Sequence, residues 1–141
     1  MSRHVPEPVR AQIEEESKSG REAWASGNPD AAERHFLNAW AALPEPKLDF
    51  DYAQLLSSGL ATFYRDTRQF DKARRWIEVM RQAYGPEPNV YPEFLAGTIA
   101  FESGDLDEAF RLFRPWYEQF GSRPFEGQEP KYLDLVRRRL T

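Results

Sequence analysis

A small residue followed twelve positions later by alanine occurs three times in this chain: Gly20 with Ala32, Ala61 with Ala73, and Gly97 with Ala109. Four residues after each alanine stands a large apolar side chain, Phe36, Ile77 or Phe113, and three further on come Ala39, Met80 and Trp116. One such coincidence is common in helical proteins, but three in the same register constrain the fold. The spacing predicts antiparallel helix pairs that cross closely, because the contact point must be small on both sides while the residue one turn on fills the gap. The best-marked unit runs from Gly97 to Phe113, where Ser103-Gly104-Asp105 reads as a tight turn between two helices. Leu106, Phe110 and Phe113 follow it at helical spacing.

Taken in order, the chain predicts a flexible or extended lead-in over residues 1–8, with Pro6 and Pro8 opposing an early helix. A first helix runs from Val9 to Ser26, acidic early and basic late, as the helix dipole favours. Gly27-Asn28 breaks it, and Pro29 opens a second helix to about Leu43. Asp49 or Asp51 is placed to cap a third helix through about Thr67, and a turn at Arg68-Gln69 leads into a fourth, Phe70 to Tyr84. Gly85-Pro86-Glu87-Pro88 ends that helix. The fifth spans about Val90 to Ser103 and the sixth about Leu106 to Phe120, with Pro115 expected to kink or shorten it. Residues 121–129 form a loop rich in Gly, Pro and Ser, and 130–141 a last amphipathic helix with Leu133, Val136 and Leu140 on one face. No strand pattern of useful length occurs, so the fold is predicted to be all-α.

The small residue, the turn and the Ala-x-x-x-Phe of the following helix resemble the tetratricopeptide repeat. That resemblance implies a right-handed solenoid of three divergent helix-turn-helix repeats, at about 9–44, 49–85 and 90–120, closed by a C-terminal capping helix. The chain departs from the family in places. The tryptophan near the start of the first helix of each repeat is replaced by Glu16, Ser57 and Glu93, and the later aromatic survives only as Tyr64. The period read between Ala32, Ala73 and Ala109 is 41 and then 36 residues, with the extra length falling at 44–50 and 86–91. Without the shared register the same helices would make an ordinary antiparallel bundle.

Proteins resembling this family bind peptides or partner domains in a concave groove lined by the first helix of each repeat. Carried over by position, the groove-facing residues are Ser17, Arg21 and Trp24, then Ser58, Thr62 and Arg65, then Tyr91, Phe94, Thr98 and Phe101. Aromatic and arginine side chains of this kind are enriched at binding hot spots. The clamp that some members use for a C-terminal carboxylate is missing: its places hold Ser17, Arg21, Gly59, Tyr91 and Leu95, of which only Arg21 suits the task.

Other classes find little support. The formal net charge is −4, and the basic runs Arg74-Arg75 and Arg137-Arg138-Arg139 are short, so no nucleic-acid partner is expected. There are no cysteines, no apolar run long enough for a membrane span, and no secretory leader, so the expected location is cytoplasmic. His4 and His35 have no evident catalytic partner, and Asp105, Asp107 and Glu108 read as a helix start. No enzyme activity, metal or cofactor is expected. The reading is therefore a protein-protein interaction module acting through its concave face, as an immunity or antitoxin protein or a chaperone-adaptor. Its acidity would suit a basic partner such as a toxin domain. The alternative is a structural homo-oligomer whose groove or C-terminal helix is filled by another copy.

Overall fold

The computed structural model describes residues 3–141. Among the described residues the chain forms seven α-helices and no strand: α1 (Glu7–Ala25), α2 (Pro29–Ala42), α3 (Tyr52–Asp66), α4 (Phe70–Tyr84), α5 (Val90–Glu102), α6 (Leu106–Phe120) and α7 (Pro130–Leu140). They pack chiefly as adjacent pairs, α1 with α2, α3 with α4 and α5 with α6. Contacts of α2 with α3, of α4 with α5 and of α3 with α5 join the pairs, and α7 lies against α6. This arrangement is consistent with a helical repeat.

The small residues sit where the helices of a pair touch. A Cβ built on Gly20 would stand 2.6 Å from Phe36 Cε1, and one on Gly97 would stand 2.7 Å from Phe113 Cδ1 with Cε1 nearer still. Neither glycine can accept a side chain without moving a ring. In the middle pair the same two places hold Ala61 and Ile77, both buried, so a slightly larger residue on one helix meets a smaller one on the other. The turns repeat as well. Gly27, Arg68 and Gly104 each take a positive φ, of 79°, 62° and 91°. In each case the next amide reaches back to close the helix end, Asn28 N to Ala23 O at 2.9 Å, Gln69 N to Tyr64 O at 2.8 Å and Asp105 N to Ala100 O at 2.9 Å. Asn28 and Asp105 then cap α2 and α6 through their side chains.

Several expectations are corrected. Helix α1 begins at Glu7 rather than Val9, because Pro8 occupies the first turn, where a missing N–H costs nothing. The lead-in is held from Arg3 onward: Arg3 N donates to Asp49 O at 2.8 Å, Asp51 N donates to Arg3 O at 3.0 Å, and Val5 is buried. Met1 and Ser2, also assigned to the lead-in, lie outside the described residues. Asp51 occupies the position before α3 but makes no side-chain cap bond; its Oδ2 lies 2.9 Å from His4 Nδ1 instead. Asp49 belongs to a short 3-10 turn, Lys47–Asp49. Lys47 at its start donates to the last carbonyls of α2, with Nζ 2.6 Å from Leu43 O, placing a cation at a helix C-terminus. Pro115 does not shorten α6, which continues to Phe120.

Carboxylates join one pair to the next. Glu33 of α2 accepts from the Tyr64 hydroxyl at 2.6 Å and from Lys72 at 3.2 Å. Glu93 of α5 takes two bonds of 2.8 Å from Arg81 of α4. Glu102 of α5 accepts from the Tyr132 hydroxyl of α7 at 2.6 Å and lies 2.7 Å from Lys131. The Tyr64 bond, helped by Lys72, holds Glu33 below the ordinary carboxylate value. Burial alone would raise Glu102, but the bonds from Lys131 and Tyr132 outweigh it and lower that group too.

Two expected outcomes follow from these contacts. Gly97→Ala should destabilise the fold by about 1–3 kcal/mol through overpacking against Phe113. Combining it with Phe113→Ile, which copies the Ala61–Ile77 pair, should cost less than the sum of the two single changes in urea unfolding. A carboxylate lowered in the folded state stabilises above its unfolded value, and that gain is lost as pH falls through the folded value. Stability should therefore drop below the ordinary carboxylate value of 4.5, and a Glu33→Gln, Glu102→Gln variant, less stable near neutrality, should show a shallower acid decline in the same urea assay.

Candidate functional site

On the face shared by α1, α3 and α5 the surface opens into two adjoining clefts, with α3 as the wall between them. The first, about 640 Å³, is lined from α1 by Glu14, Ser17, Lys18, Arg21 and Trp24, and from α3 by Leu55, Gly59 and Thr62. The second, about 630 Å³, is lined from α3 by Ser58, Thr62 and Arg65 and from α5 by Tyr91, Phe94 and Thr98. Its far wall is the end of α6, with Phe120, and the following loop, with Arg123 and Glu126. Thr62 borders both clefts. Each has the size of a small-ligand or side-chain pocket and is open to solvent.

The most exposed large apolar side chains among the described residues lie here. Leu55 and Tyr91 are each 65% exposed and Phe120 is 45% exposed, whereas Leu37, Leu48, Leu106 and Leu140 reach 40% at most. Tyr91 leans on Tyr84, centroids 5.9 Å apart, and Phe120 stacks against Trp116 at 6.4 Å. These pairs brace the rings without covering them.

Of the residues expected to face a groove, Ser17, Arg21 and Trp24 line the first cleft, and Ser58, Thr62, Arg65, Tyr91, Phe94 and Thr98 line the second. Their roles differ. Trp24 is half-buried, edge-on to Phe63 at 5.1 Å and to Phe36 at 6.3 Å, so it is largely a core residue with one edge on the cleft. Arg65 is positioned from two sides: Nη1 donates to Thr98 Oγ1 at 2.9 Å, and Nε lies 2.8 Å from Asp66. The Thr98 hydroxyl, itself buried, donates in turn to Leu95 O at 2.7 Å. Burial opposes the charge on Arg65, and Asp66 more than restores it, so the group is held above its ordinary value.

Two of the expected anchors are covered by other parts of the chain instead. Phe94 is 7% exposed, held between Phe113 and Phe125, each 4.9 Å away. Phe101 borders neither cleft; it packs edge-on to Tyr132 of α7 at 5.2 Å with Lys131 5.4 Å above its ring. The 121–129 loop and α7 fold back over the end of α5, and that cover could not be read from α5 alone.

Other cleft residues escaped sequence reasoning. Leu55, Ser58, Gly59 and Thr62 share the i, i+3, i+4, i+7 spacing of one helix face, a signal that could have named Leu55; Gly59 entered the sequence reading only as a place of the missing carboxylate clamp. Lys18, one turn before Arg21 and Glu22, was equally accessible. Phe120 and Arg123 carried no local signal, because their place depends on how the loop folds back.

No group of histidine, aspartate and glutamate side chains suited to a metal ion exists among the described residues. No helix among them is long and apolar enough to cross a membrane. Compared with known protein families, curated proteins and solved structures, the chain gives no match. The clefts therefore have to be read from their own geometry.

Phe94→Ala should cost about 3–5 kcal/mol of stability, as for a buried ring, while Tyr91→Ala should stay within about 0.5 kcal/mol. Thermal unfolding of the two variants side by side checks this division between core ring and surface ring.

Proposed function

We propose that this chain is a three-repeat, non-enzymatic binding module of the tetratricopeptide kind, which takes a protein or peptide partner along the concave face formed by α1, α3 and α5. The observation that carries the reading is the concentration of Leu55, Tyr91 and Phe120 on two adjoining clefts. Leaving these side chains in water forgoes about 25 cal/mol for each Å² of apolar surface, and a partner that covers them recovers it. The repeated crossing of Gly20 with Phe36 and Gly97 with Phe113, together with the three like turns, supports the repeat assignment. Such a module acts by occupying another protein, as an adaptor, chaperone or immunity partner does.

The test is capture of partners from lysate of the source cell by wild-type protein and by a Leu55→Ser, Tyr91→Ser, Phe120→Ser variant. All three side chains are exposed, so the variant should keep its thermal midpoint to within a few degrees. A stoichiometric partner retained by the wild type and lost by the variant is the expected result. Equal retention by both would move the interface to another face and refute the concave reading.

A further inference from the structure

The charge on the two clefts is opposite in sign to that of the chain. The molecule as a whole carries a formal −4, yet the clefts present Lys18, Arg21, Arg65 and Arg123 against only Glu14 and Glu126. Several of these cations are unspent. Lys18, Arg21 and Arg123 have no ion-pair partner among the described residues, whereas Glu14 is already engaged by Arg10 at 2.9 Å and by the Tyr52 hydroxyl at 2.8 Å. Arg65 is oriented by Thr98 and Asp66. The acidic excess therefore lies on the other surfaces, and the face that would receive a partner is locally basic.

Gly59 adds a second, independent observation. It stands in the middle of α3, on the first cleft, where glycine weakens a helix relative to alanine. Gly20 and Gly97 are explained by rings pressed against them, but a Cβ on Gly59 would meet nothing within 4 Å. No contact within the chain calls for a glycine there. With Ser58 and Thr62 beside it, Gly59 leaves a low saddle on the wall between the clefts, low enough for another backbone to come close.

Resting on the binding function proposed above, we propose that the occupant is an acidic peptide segment of a partner protein. Its backbone crosses α3 at the Gly59 saddle, and apolar side chains enter the clefts beside Leu55 on one side and between Tyr91 and Phe120 on the other. Carboxylates of the segment meet Lys18 and Arg21 at one end and Arg123 at the other. A basic partner would face these cations directly, and like charges brought together suppress binding. A single-stranded nucleic acid fits less well, because three free cations interspersed with two carboxylates release few counterions.

The test uses three labelled peptides of one length, each with a Phe-Leu pair flanked by glutamates, by glutamines or by lysines, and an oligothymidylate of similar size. Binding to the intact protein is read by fluorescence anisotropy at low and at raised salt. The glutamate peptide should bind at least about tenfold tighter than the other two peptides, with the difference shrinking as salt rises. Arg21→Glu with Arg123→Glu should abolish that preference. Gly59→Ala should raise the thermal midpoint, and Gly59→Leu should leave the protein folded but block the peptide.

Preference for the lysine or glutamine peptide, tighter binding of the oligothymidylate, or no peptide binding at saturating protein would each overturn the proposal. So would a glutamate preference that survives the charge reversal, or unchanged binding in Gly59→Leu. These outcomes are separable from failure of the binding function itself. If any peptide binds and is lost in the Leu55→Ser, Tyr91→Ser, Phe120→Ser variant, the concave face stands and only the acidic occupant falls. If peptide binding is indifferent to that variant, the concave face falls with it.

Discussion

The outer two helix pairs, α1 with α2 and α5 with α6, hang on the fit of a ring against a missing side chain. At Gly20 and Gly97 the backbone of one helix lies directly against Phe36 and Phe113 of the next, and Phe113 is wholly buried there. Close packing is intolerant of added volume, so this contact fixes both the distance and the register of the first and third pairs, and Ala61 with Ile77 takes the same places in the middle one. Once the pairs are set, the faces of α1, α3 and α5 that do not meet their partner helices are left to border common space. The clefts are thus a by-product of the crossing geometry, and their walls inherit its rigidity.

The second constraint is how one pair is held to the next. Glu33, Glu93 and Glu102 each bridge consecutive pairs or the final helix, and each is only partly exposed. Two of them accept a tyrosine hydroxyl and a lysine that also lies over that tyrosine's ring, Lys72 over Tyr64 and Lys131 over Tyr132. Exposed ion pairs contribute little by themselves. Here the carboxylate is fastened by a neutral donor and a cation together, so the bond geometry selects one docking of the pairs over neighbouring ones. Apolar contacts such as Trp40 against Trp76 at 5.1 Å supply the burial that these polar bonds orient.

What could be read from the sequence divides along the range of the interaction. The helix pairs and their turns were legible because each depends on residues within about one pair: Gly20 and Phe36 are sixteen positions apart, and Gly104-Asp105 acts on its own two helices. Most of the cleft residues on α1 and α3 were legible for the same reason, since a helix face follows from spacing. Phe94 borders the second cleft but is no exposed anchor, and Phe101 borders neither cleft, because their cover comes from Phe125 and Tyr132, brought back by the 121–129 loop and α7. Asp51 failed as a cap because the lead-in returns to offer it His4. In both cases a non-local partner outcompeted the local one.

Net charge was the least informative of the sequence quantities. A sum of −4 averages over surfaces that the fold then separates. Several carboxylates are paired at places that line neither cleft, as at Glu93 with Arg81 and Asp107 with Arg139. Lys18, Arg21 and Arg123 meanwhile have no ion-pair partner among the described residues and stand beside exposed apolar side chains. A charge without a partner next to an apolar surface without a cover is an incomplete arrangement in the free protein. It becomes complete when one ligand supplies both the opposite charge and the missing apolar contact, and the bare helix wall at Gly59 leaves room for that ligand's backbone.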